Sequence, residues 1–135
     1  MTGNFLRIRI QRIQDNRDLP LPSYQSTGAT GLDLRAAVED DKVLNPGQIL
    51  SVPCGFAIAL PRGFEAQIRP EWNLAKEFGV TVLNSPGTID SDFRGEIMVL
   101  LINHGRYSTK IKRGMQVALL VISKVPFIKL GSSRI

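Results

Sequence analysis

Short apolar runs, most of them alternating with polar residues, recur along the chain and predict β-strands. Each run covers five to eight residues, which is the length of a strand. The six runs are Leu6 to Ile13, Gln48 to Val52, Phe56 to Leu60, Glu65 to Arg69, Ile97 to Asn103 and Val117 to Ile122. Groups of turn-forming residues, such as Asn45-Pro46-Gly47, separate the runs at regular intervals. The pattern predicts an all-β sandwich or barrel.

One segment has the pattern of a helix. Pro70 precedes the segment Glu71 to Phe78 and Gly79 follows it, and these are residues that commonly start and end helices. Eight residues make only about two helical turns, so we expect one short surface helix. The 135 residues contain no internal repeat or linker, and we expect a single jelly-roll-like domain over residues 1–135.

The composition is that of a folded protein. Hydrophobic residues make up 43% of the chain and charged residues 21%, which excludes disordered and collagen-like classes. The single cysteine, Cys54, excludes an internal disulfide, and no apolar run approaches the ~18 residues of a membrane span. The first residues include Arg7, Arg9 and Arg12 and lack the apolar centre of a signal peptide. We therefore expect a cytoplasmic protein with no membrane partner.

Charge is unevenly distributed along the chain. The formal net charge is +5, and no acidic residue follows Glu96, whereas the last 39 residues carry seven cations. This basic region is either a solvated face or an attraction for nucleic acid or for a nucleotide phosphate. Only Tyr107 and Phe127 are aromatic among these cations, so a stacking surface for single strands is poorly supported. We expect no nucleic acid polymer as a partner.

The common catalytic motifs are absent from the sequence. His104 and Cys54 are the only histidine and cysteine, so a Cys/His nucleophile pair requires two distant segments to meet. Zinc sites need several such ligands and are excluded. The glycine-rich segments lack the Walker lysine and the dinucleotide fingerprint. Any phosphate chemistry must use another arrangement.

Two segments carry more polar chemistry than a structural β protein needs. In the first, Ala29 to Ala37, Asp33 lies inside an apolar run and either pairs with Arg35, caps a turn, or holds water around a divalent ion. In the second, Val82 to Ile97, small and turn residues lead into Asp90. This second segment is either a plain hairpin with a solvated tip or a pocket in which Asp90 orients and deprotonates a water.

These segments place the chain in a known family by resemblance. The stretches Ala29 to Ala37, Asn84 to Ile97 and Lys112 to Val121 resemble motifs of the trimeric dUTPases in order and spacing, within a resemblance that covers Leu6 to Phe127. The resemblance implies a jelly-roll (β-clip) protomer and a homotrimer with active sites at the subunit junctions. It also implies Mg-dependent hydrolysis of dUTP to dUMP and pyrophosphate.

The resemblance assigns roles to individual residues. Asp90 resembles the family's water-orienting base, which also contacts the deoxyribose 3′-hydroxyl. Asn84, Gly87 and Ile89 lie in the hairpin that reads uracil through main-chain and amide hydrogen bonds. Phe93 stands where the family usually has Tyr, a ring that packs on the deoxyribose and leaves no space for a 2′-hydroxyl.

The resemblance also implies a magnesium ion. Asp33 resembles the acidic residue that holds Mg²⁺ through water, while the triphosphate binds most of the ion directly. Catalysis in such a site consists mostly of positioning and charge neutralisation. The expected ligands are therefore dUTP or dUMP, with Mg²⁺ as cofactor.

The chain departs from the family on the phosphate side of the site. The family's second motif reads Arg-Pro-Arg-Ser-Gly-Leu-Ala, whereas this chain has Glu71, Trp72 and Asn73 at the central positions. An anion thus replaces a cation, and an indole N–H replaces a hydroxyl. In the family's fourth motif a phosphate-side Gln is replaced by Leu119. The Gly-rich arm that closes over the nucleotide is also missing from the resemblance, and its loss exposes the triphosphate to water.

Two interpretations follow from these changes. The first is a dUTPase-family homotrimer with weak or lost hydrolysis of dUTP. The second is a non-catalytic trimeric scaffold, natural or engineered, whose surface mediates protein assembly. Trp and Met are typical of interface cores, and the replacements towards large apolar residues define the predicted contact surface. Its members are Trp72, Phe78, Met115 and Leu119.

Overall fold

The computed structural model describes residues 5–135, almost entirely as short antiparallel strands. A single short helix interrupts them in this part of the chain. The strands are β1 (Arg9–Arg12), β2 (Leu32–Arg35), β3 (Lys42–Leu44), β4 (Ile49–Pro53), β5 (Phe56–Ala59), β6 (Phe64–Pro70), β7 (Val80–Val82), β8 (Gly87–Ile89), β9 (Met98–Asn103), β10 (Thr109–Ile111) and β11 (Gln116–Lys124). The all-β prediction is confirmed.

Two sheets carry most of the pairing. The larger has the order β2-β11-β6-β8 and the other has the order β4-β9-β7, while β1 pairs with β5 and β3 with β10. In the larger sheet Leu119 on β11 lies opposite Asp33 on β2 and, on its other side, opposite Arg69 on β6. Asp33, Arg69 and Leu119, which are far apart in the sequence, therefore lie side by side on three adjacent strands.

The core lies where the buried faces of these strands meet. β9 alternates exposed or half-buried residues with buried ones, and Val99 and Leu101 are fully buried. Leu34, Val52 and Val117 join them from neighbouring strands. Each buried aliphatic side chain contributes about 1.5–3 kcal/mol to the free energy of folding, which is enough to anchor strands as short as these.

The short helix occupies the predicted position. Trp72 and Asn73 are helical, and the Leu74–Phe78 turn continues as a π-helix. Leu74 is buried and attaches the helix to the core. Gly79 ends it in the left-handed conformation, with φ of 68°, and donates its N–H to the carbonyl of Ala75 at 3.0 Å. A glycine at this point is the usual helix terminator because it lacks a Cβ.

Candidate functional site

A pocket of about 220 Å³ lies along the hairpin that follows β7. All five predicted substrate and catalytic residues line it: Asn84, Gly87, Ile89, Asp90 and Phe93. Glu96 and Met98 line the same pocket, although no sequence motif predicts a role for them. The strand β8 carries Gly87 and Ile89 into the larger sheet, so the sheet holds one wall of the pocket rigidly.

Close packing of the backbone forms the inner end of this pocket. Gly87 lies opposite Ile68 of β6, and a Cβ on Gly87 would lie 3.3 Å from Nδ2 of Asn84 and 3.4 Å from Cβ of Ile68. The missing side chain lets the Asn84 amide approach the strand backbone. Amide and main-chain groups are thereby grouped at one end of the pocket, where they can donate and accept hydrogen bonds in a fixed direction.

A tight turn links Asp90 to Phe93 at the other end. The Phe93 N–H donates to the Asp90 carbonyl at 3.1 Å. The Arg94 guanidinium donates to the carbonyl of Ser91 at 2.6 Å and to that of Phe93 at 3.0 Å. Asp90 itself is exposed, so its carboxylate is free to meet a ligand or a water. The turn therefore sets the distance between a carboxylate and an aromatic ring.

Glu96 connects this pocket to the turn between β4 and β5. Its Oε2 accepts the backbone N–H of Gly55 at 2.9 Å. Gly55 has φ of 80°, a conformation that favours glycine. The half-buried Glu96 thus attaches the pocket to the Gly55 turn, which is 41 residues away in the chain. No local sequence pattern predicts this contact.

Asp33 lies on β2, at the opposite edge of the larger sheet from β8 and apart from the residues that line the pocket. Its side chain is 3% exposed, Oδ1 accepts the Nε2 amide of Gln116 at 2.8 Å, and Oδ2 accepts no hydrogen bond. The Arg35 guanidinium is 3.7 Å from Oδ2. Burial raises the pKa of the Asp33 carboxyl, and the charge on Glu71 adds to the shift, while Arg35 opposes it. A buried oxygen without a hydrogen bond is costly, and the Arg35 charge offsets part of that cost.

The residues at the predicted phosphate-side positions differ in their surroundings. Glu71 is half-buried, and its Oε2 accepts the Leu74 N–H at 2.8 Å, which caps the first turn of the helix. Trp72 is 74% exposed, and Asn73 makes no side-chain cap hydrogen bond. Leu119 is half-buried between β2 and β6. The Glu71 carboxylate is therefore held at the helix N-terminus.

Replacing Glu71 with Ala tests this cap. We expect the Glu71→Ala variant to lose about 1 kcal/mol of unfolding free energy, because the Leu74 N–H loses its acceptor. The melting temperature should fall by about 3–5 °C. Glu77→Ala, a change at an exposed position of the same helix, is the matched control and should melt within about 1 °C of the wild type. Equal melting temperatures for both variants would contradict the cap.

The four replaced apolar residues line no common pocket. Met115 packs against the core, whereas Phe78, which is 49% exposed, lines a separate cleft with Gly105 and Tyr107. Trp72 projects from the first helical turn. The predicted apolar surface thus has two strongly exposed members, Trp72 and Phe78, one at each end of the helix.

Cys54 is not placed for nucleophilic chemistry. The thiol is buried, and burial raises its pKa to about 12, with a further contribution from the Glu96 charge. His104 is exposed in the turn after β9, where its N–H donates to the carbonyl of Gly79. No group of three or more His, Cys, Asp or Glu side chains within residues 5–135 is arranged to hold a metal. Neither residue lines the hairpin pocket.

The raised pKa of Cys54 makes a simple prediction. At pH 8 the thiol is almost entirely protonated, and the thiolate is the reactive form. We expect alkylation by iodoacetamide to proceed at least 100-fold more slowly in the native protein than in guanidinium chloride, as measured by intact mass. Native labelling at the rate of the unfolded chain would contradict a closed core around Cys54.

The basic region is partly committed to structure. Arg113 makes two hydrogen bonds to the carboxylate of Asp18, at 2.7 and 2.9 Å, and a third to Oδ1 of Asn16 at 2.9 Å. The Arg113 guanidinium lowers the pKa of the Asp18 carboxyl. This cation therefore ties the segment after β1 to the turn before β11. As for membranes, no helix in the described part of the chain has the length and apolarity needed to cross one.

The fold has well-defined relatives among solved structures. It matches a mutant dUTPase of phage phi11 of S. aureus with a TM-score of 0.84 and 16% identity, over 95% of this chain and 97% of that chain. That study concerned the coordination of a structural Mg(II) ion. The dUTPase of Staphylococcus bacteriophage 80alpha matches with a TM-score of 0.83 and 15% identity, over 94% of this chain and 96% of that chain. The chain has the dUTPase fold.

Sequence comparison identifies the family. The dUTPase family model matches residues 17–132. The chain is 50% identical over 118 residues to the deoxyuridine 5′-triphosphate nucleotidohydrolase of Thermoanaerobacter sp. (strain X514), covering 87% of this chain and 80% of that protein. It is 51% identical over 125 residues to the corresponding protein of Wolbachia pipientis wMel, covering 93% and 82%. The chain belongs to the dUTPase family.

Proposed function

We propose that this chain forms a homotrimer that binds deoxyuridine nucleotides at the hairpin pocket but hydrolyses dUTP to dUMP and pyrophosphate weakly or not at all. One observation carries the proposal. The five residues assigned to the base, the sugar and the water converge on one pocket, whereas four positions assigned to the phosphates hold residues of the wrong chemistry. Recognition of the nucleoside is thereby separated from chemistry on the phosphates.

The hairpin pocket supports the recognition part of the proposal. The pocket of about 220 Å³ brings together the residues assigned to the base, the sugar and the water. Main-chain and amide groups around Asn84 and Gly87 would read the uracil edge. Asp90 would contact the sugar and orient a water, and the Phe93 ring would pack on the deoxyribose.

The phosphate side supports the catalytic part of the proposal. A unit charge about 4 Å from a phosphate charge contributes on the order of 4 kcal/mol at an effective dielectric of ~20, before screening by salt. Glu71 makes this contribution unfavourable where the family's Arg makes it favourable. Trp72 offers one N–H on a large ring, and Leu119 offers no hydrogen-bonding group. The transition state for phosphate transfer therefore loses both charge neutralisation and positioning.

The residues present fit a magnesium ion only in a supporting role. Oδ2 of Asp33 accepts no hydrogen bond, and oxygen ligands suit Mg²⁺. With a single carboxylate there, Asp33 would hold the ion through water while the phosphates bind it directly. When bound, Mg²⁺ neutralises phosphate charge and orients the leaving group. Burial and the nearby charge of Glu71 both raise the pKa of Asp33. The affinity of the site for Mg²⁺ depends on this carboxyl being ionised.

Exposed apolar side chains support the homotrimer. Phe127, Ile128 and Leu130 follow β11 and are 74%, 78% and 89% exposed in the isolated protomer. The Arg62 guanidinium lies 5.0 Å from the centre of the Phe127 ring. Lys129 interrupts this apolar segment, but the exposed side chains on either side of it are of the kind that another subunit covers.

Trp72 favours the second candidate, a trimeric scaffold that binds a protein partner. A tryptophan that is 74% exposed is unusual on a protomer surface and typical of interface hot spots. It is also the only tryptophan in the chain, so its fluorescence reports its own surroundings. Emission from the purified trimer near that of free tryptophan would leave Trp72 available to a partner, and strongly blue-shifted emission would place it inside the trimer.

Pyrophosphate release from dUTP with Mg²⁺ tests the proposed function. We expect the wild type to release pyrophosphate at a rate close to that of the Asp90→Ala variant, which controls for contaminating phosphatase. Binding of dUMP, followed by calorimetry, should be present in the wild type. Fast turnover that Asp90→Ala abolishes would contradict the loss of catalysis, and absence of dUMP binding would contradict the retained pocket.

A further inference from the structure

The ring of Phe93 rests directly on the backbone of Gly95. A Cβ placed on Gly95 would lie 2.7 Å from Cζ of Phe93 and 3.1 Å from its Cε1. Separations below 3.0 Å essentially never occur for real Cβ atoms, so no other residue fits beneath the ring in this position. The ring is 44% exposed and lines the hairpin pocket.

Backbone strain does not account for glycine at this position. Gly95 is absent from the glycines with positive φ, whereas Gly55 and Gly79 are among them. An alanine at position 95 could therefore adopt the same backbone conformation, and only the contact with the ring opposes it. Because the contact is to the far end of a side chain, the ring would move and the backbone would stay in place.

Arg94 holds the rest of the turn in place. Its guanidinium donates to the carbonyls of Ser91 and Phe93, and the Phe93 N–H donates to the carbonyl of Asp90. The backbone from Asp90 to Phe93 is thus fixed, and the remaining freedom is the rotation of the Phe93 ring. Gly95 limits that freedom by giving the ring a flat surface on which to lie.

We infer that Gly95 is the positioning residue for the Phe93 ring and so determines how strictly the pocket discriminates 2′-deoxyribose from ribose. This inference rests on the proposed function, in which the Phe93 ring packs on the sugar. A ring displaced from Gly95 no longer occupies the space that a 2′-hydroxyl would need. The pocket then no longer discriminates 2′-deoxyribose from ribose, although the substituted residue, Gly95, does not itself contact the ligand.

The experiment compares Gly95→Ala with Gly28→Ala. Gly28 is the matched control because its added Cβ would meet nothing within 4 Å and its φ is not positive. Calorimetry with dUMP and UMP gives the ratio of the two dissociation constants. In Gly95→Ala we expect dUMP binding to weaken by about 2- to 12-fold, the cost of an off-rotamer ring, and the preference for dUMP over UMP to fall by about tenfold. Gly28→Ala should keep both wild-type values.

A second measurement examines the ring without any ligand. In protein labelled with fluorophenylalanine, the ¹⁹F resonance of Phe93 is assigned by its loss in Phe93→Leu. This resonance should move in Gly95→Ala and stay in place in Gly28→Ala. An unmoved resonance overturns the inference, as does a wild-type preference for dUMP in folded Gly95→Ala. If the wild type binds neither nucleotide, the proposed function falls together with the discrimination assigned to Gly95.

Discussion

Restoring the family's phosphate-side residues is expected to increase pyrophosphate release from dUTP by at least about 100-fold. The variant combines Glu71→Arg, Trp72→Ser, Asn73→Gly and Leu119→Gln. Each recovered contact is worth about 2 kcal/mol in the transition state, so three of them set an upper value near 10⁴-fold if their effects add. Real sites are seldom additive, which is why the lower figure is the expected one.

The four changes must be separated from their effects on stability. Glu71→Arg removes the acceptor that caps the Leu74 N–H, so the melting temperature is measured beside the rate. The same four changes combined with Asp90→Ala should return the rate to background. If the variant with all four changes is folded and trimeric but releases pyrophosphate no faster than the wild type, the loss of activity has its cause elsewhere in the chain.

Replacing Asp33 with Asn is expected to stabilise the free protein while removing its response to Mg²⁺. The carboxylate is 3% exposed, and its Oδ2 accepts no hydrogen bond, so a charge is buried at a cost. An amide keeps the acceptor for Gln116 and removes the charge. We expect a gain of about 1 kcal/mol at pH 7, seen as a melting temperature about 3–5 °C higher.

The pH dependence of this difference follows from the pKa of Asp33. Burial raises the native pKa of this carboxyl above its ordinary value of 3.8. The native state therefore binds more protons than the unfolded state between the two values, and the penalty is relieved as pH falls through the native pKa. The melting temperature of Asp33→Asn should exceed that of the wild type by the largest amount at neutral pH. The difference should shrink towards pH 4. A constant or reversed difference would contradict a buried carboxylate.

Magnesium provides the other half of the Asp33 test. If Oδ2 of Asp33 helps to hold the ion, Mg²⁺ should strengthen binding of dUpNHpp, the imido analogue of dUTP, to the wild type. Mg²⁺ should leave the affinity of Asp33→Asn for dUpNHpp unchanged. A buried charge kept at a cost in stability is typical of a functional position. An equal effect of Mg²⁺ on both proteins would remove Asp33 from the site.

The long strands were predictable because their alternation is strong. The runs from Phe56, Glu65, Ile97 and Val117 each became a strand within one or two residues of the expected bounds. The three-residue strands, such as Lys42–Leu44 and Thr109–Ile111, could not be seen in the same way, because three residues carry almost no periodic signal. Their pairing depends on partners distant in the chain.

The helix shows what local signals do and do not contain. Pro70 and Gly79 located it, since both act through their own backbone preferences. The sequence did not predict the cap that Glu71 makes to Leu74, because Glu71 was considered only for its effect on a bound phosphate. Acidic residues at helix N-termini are favourable for the same electrostatic reason that makes the N-terminus attract anions.

The candidate site was predictable in part. The resemblance named five of the residues that line the pocket, because the hairpin is continuous in sequence, but it gave no role to Thr88, Glu96 or Met98. It could not reveal Glu96 bonded to Gly55 or Gln116 bonded to Asp33, since these contacts join segments 41 and 83 residues apart. The predicted apolar surface stays a prediction: Met115 packs against the core, whereas Trp72 and Phe78 are exposed.

The most direct test of retained recognition with lost phosphate chemistry is a calorimetric comparison of dUMP and dUpNHpp binding in the presence of Mg²⁺. We expect the wild type to bind both ligands, with dissociation constants within about tenfold of each other, because Glu71, Trp72 and Leu119 offer the β- and γ-phosphates no favourable contact. Binding of dUpNHpp more than about 100-fold tighter than dUMP would show a working phosphate site and contradict the account.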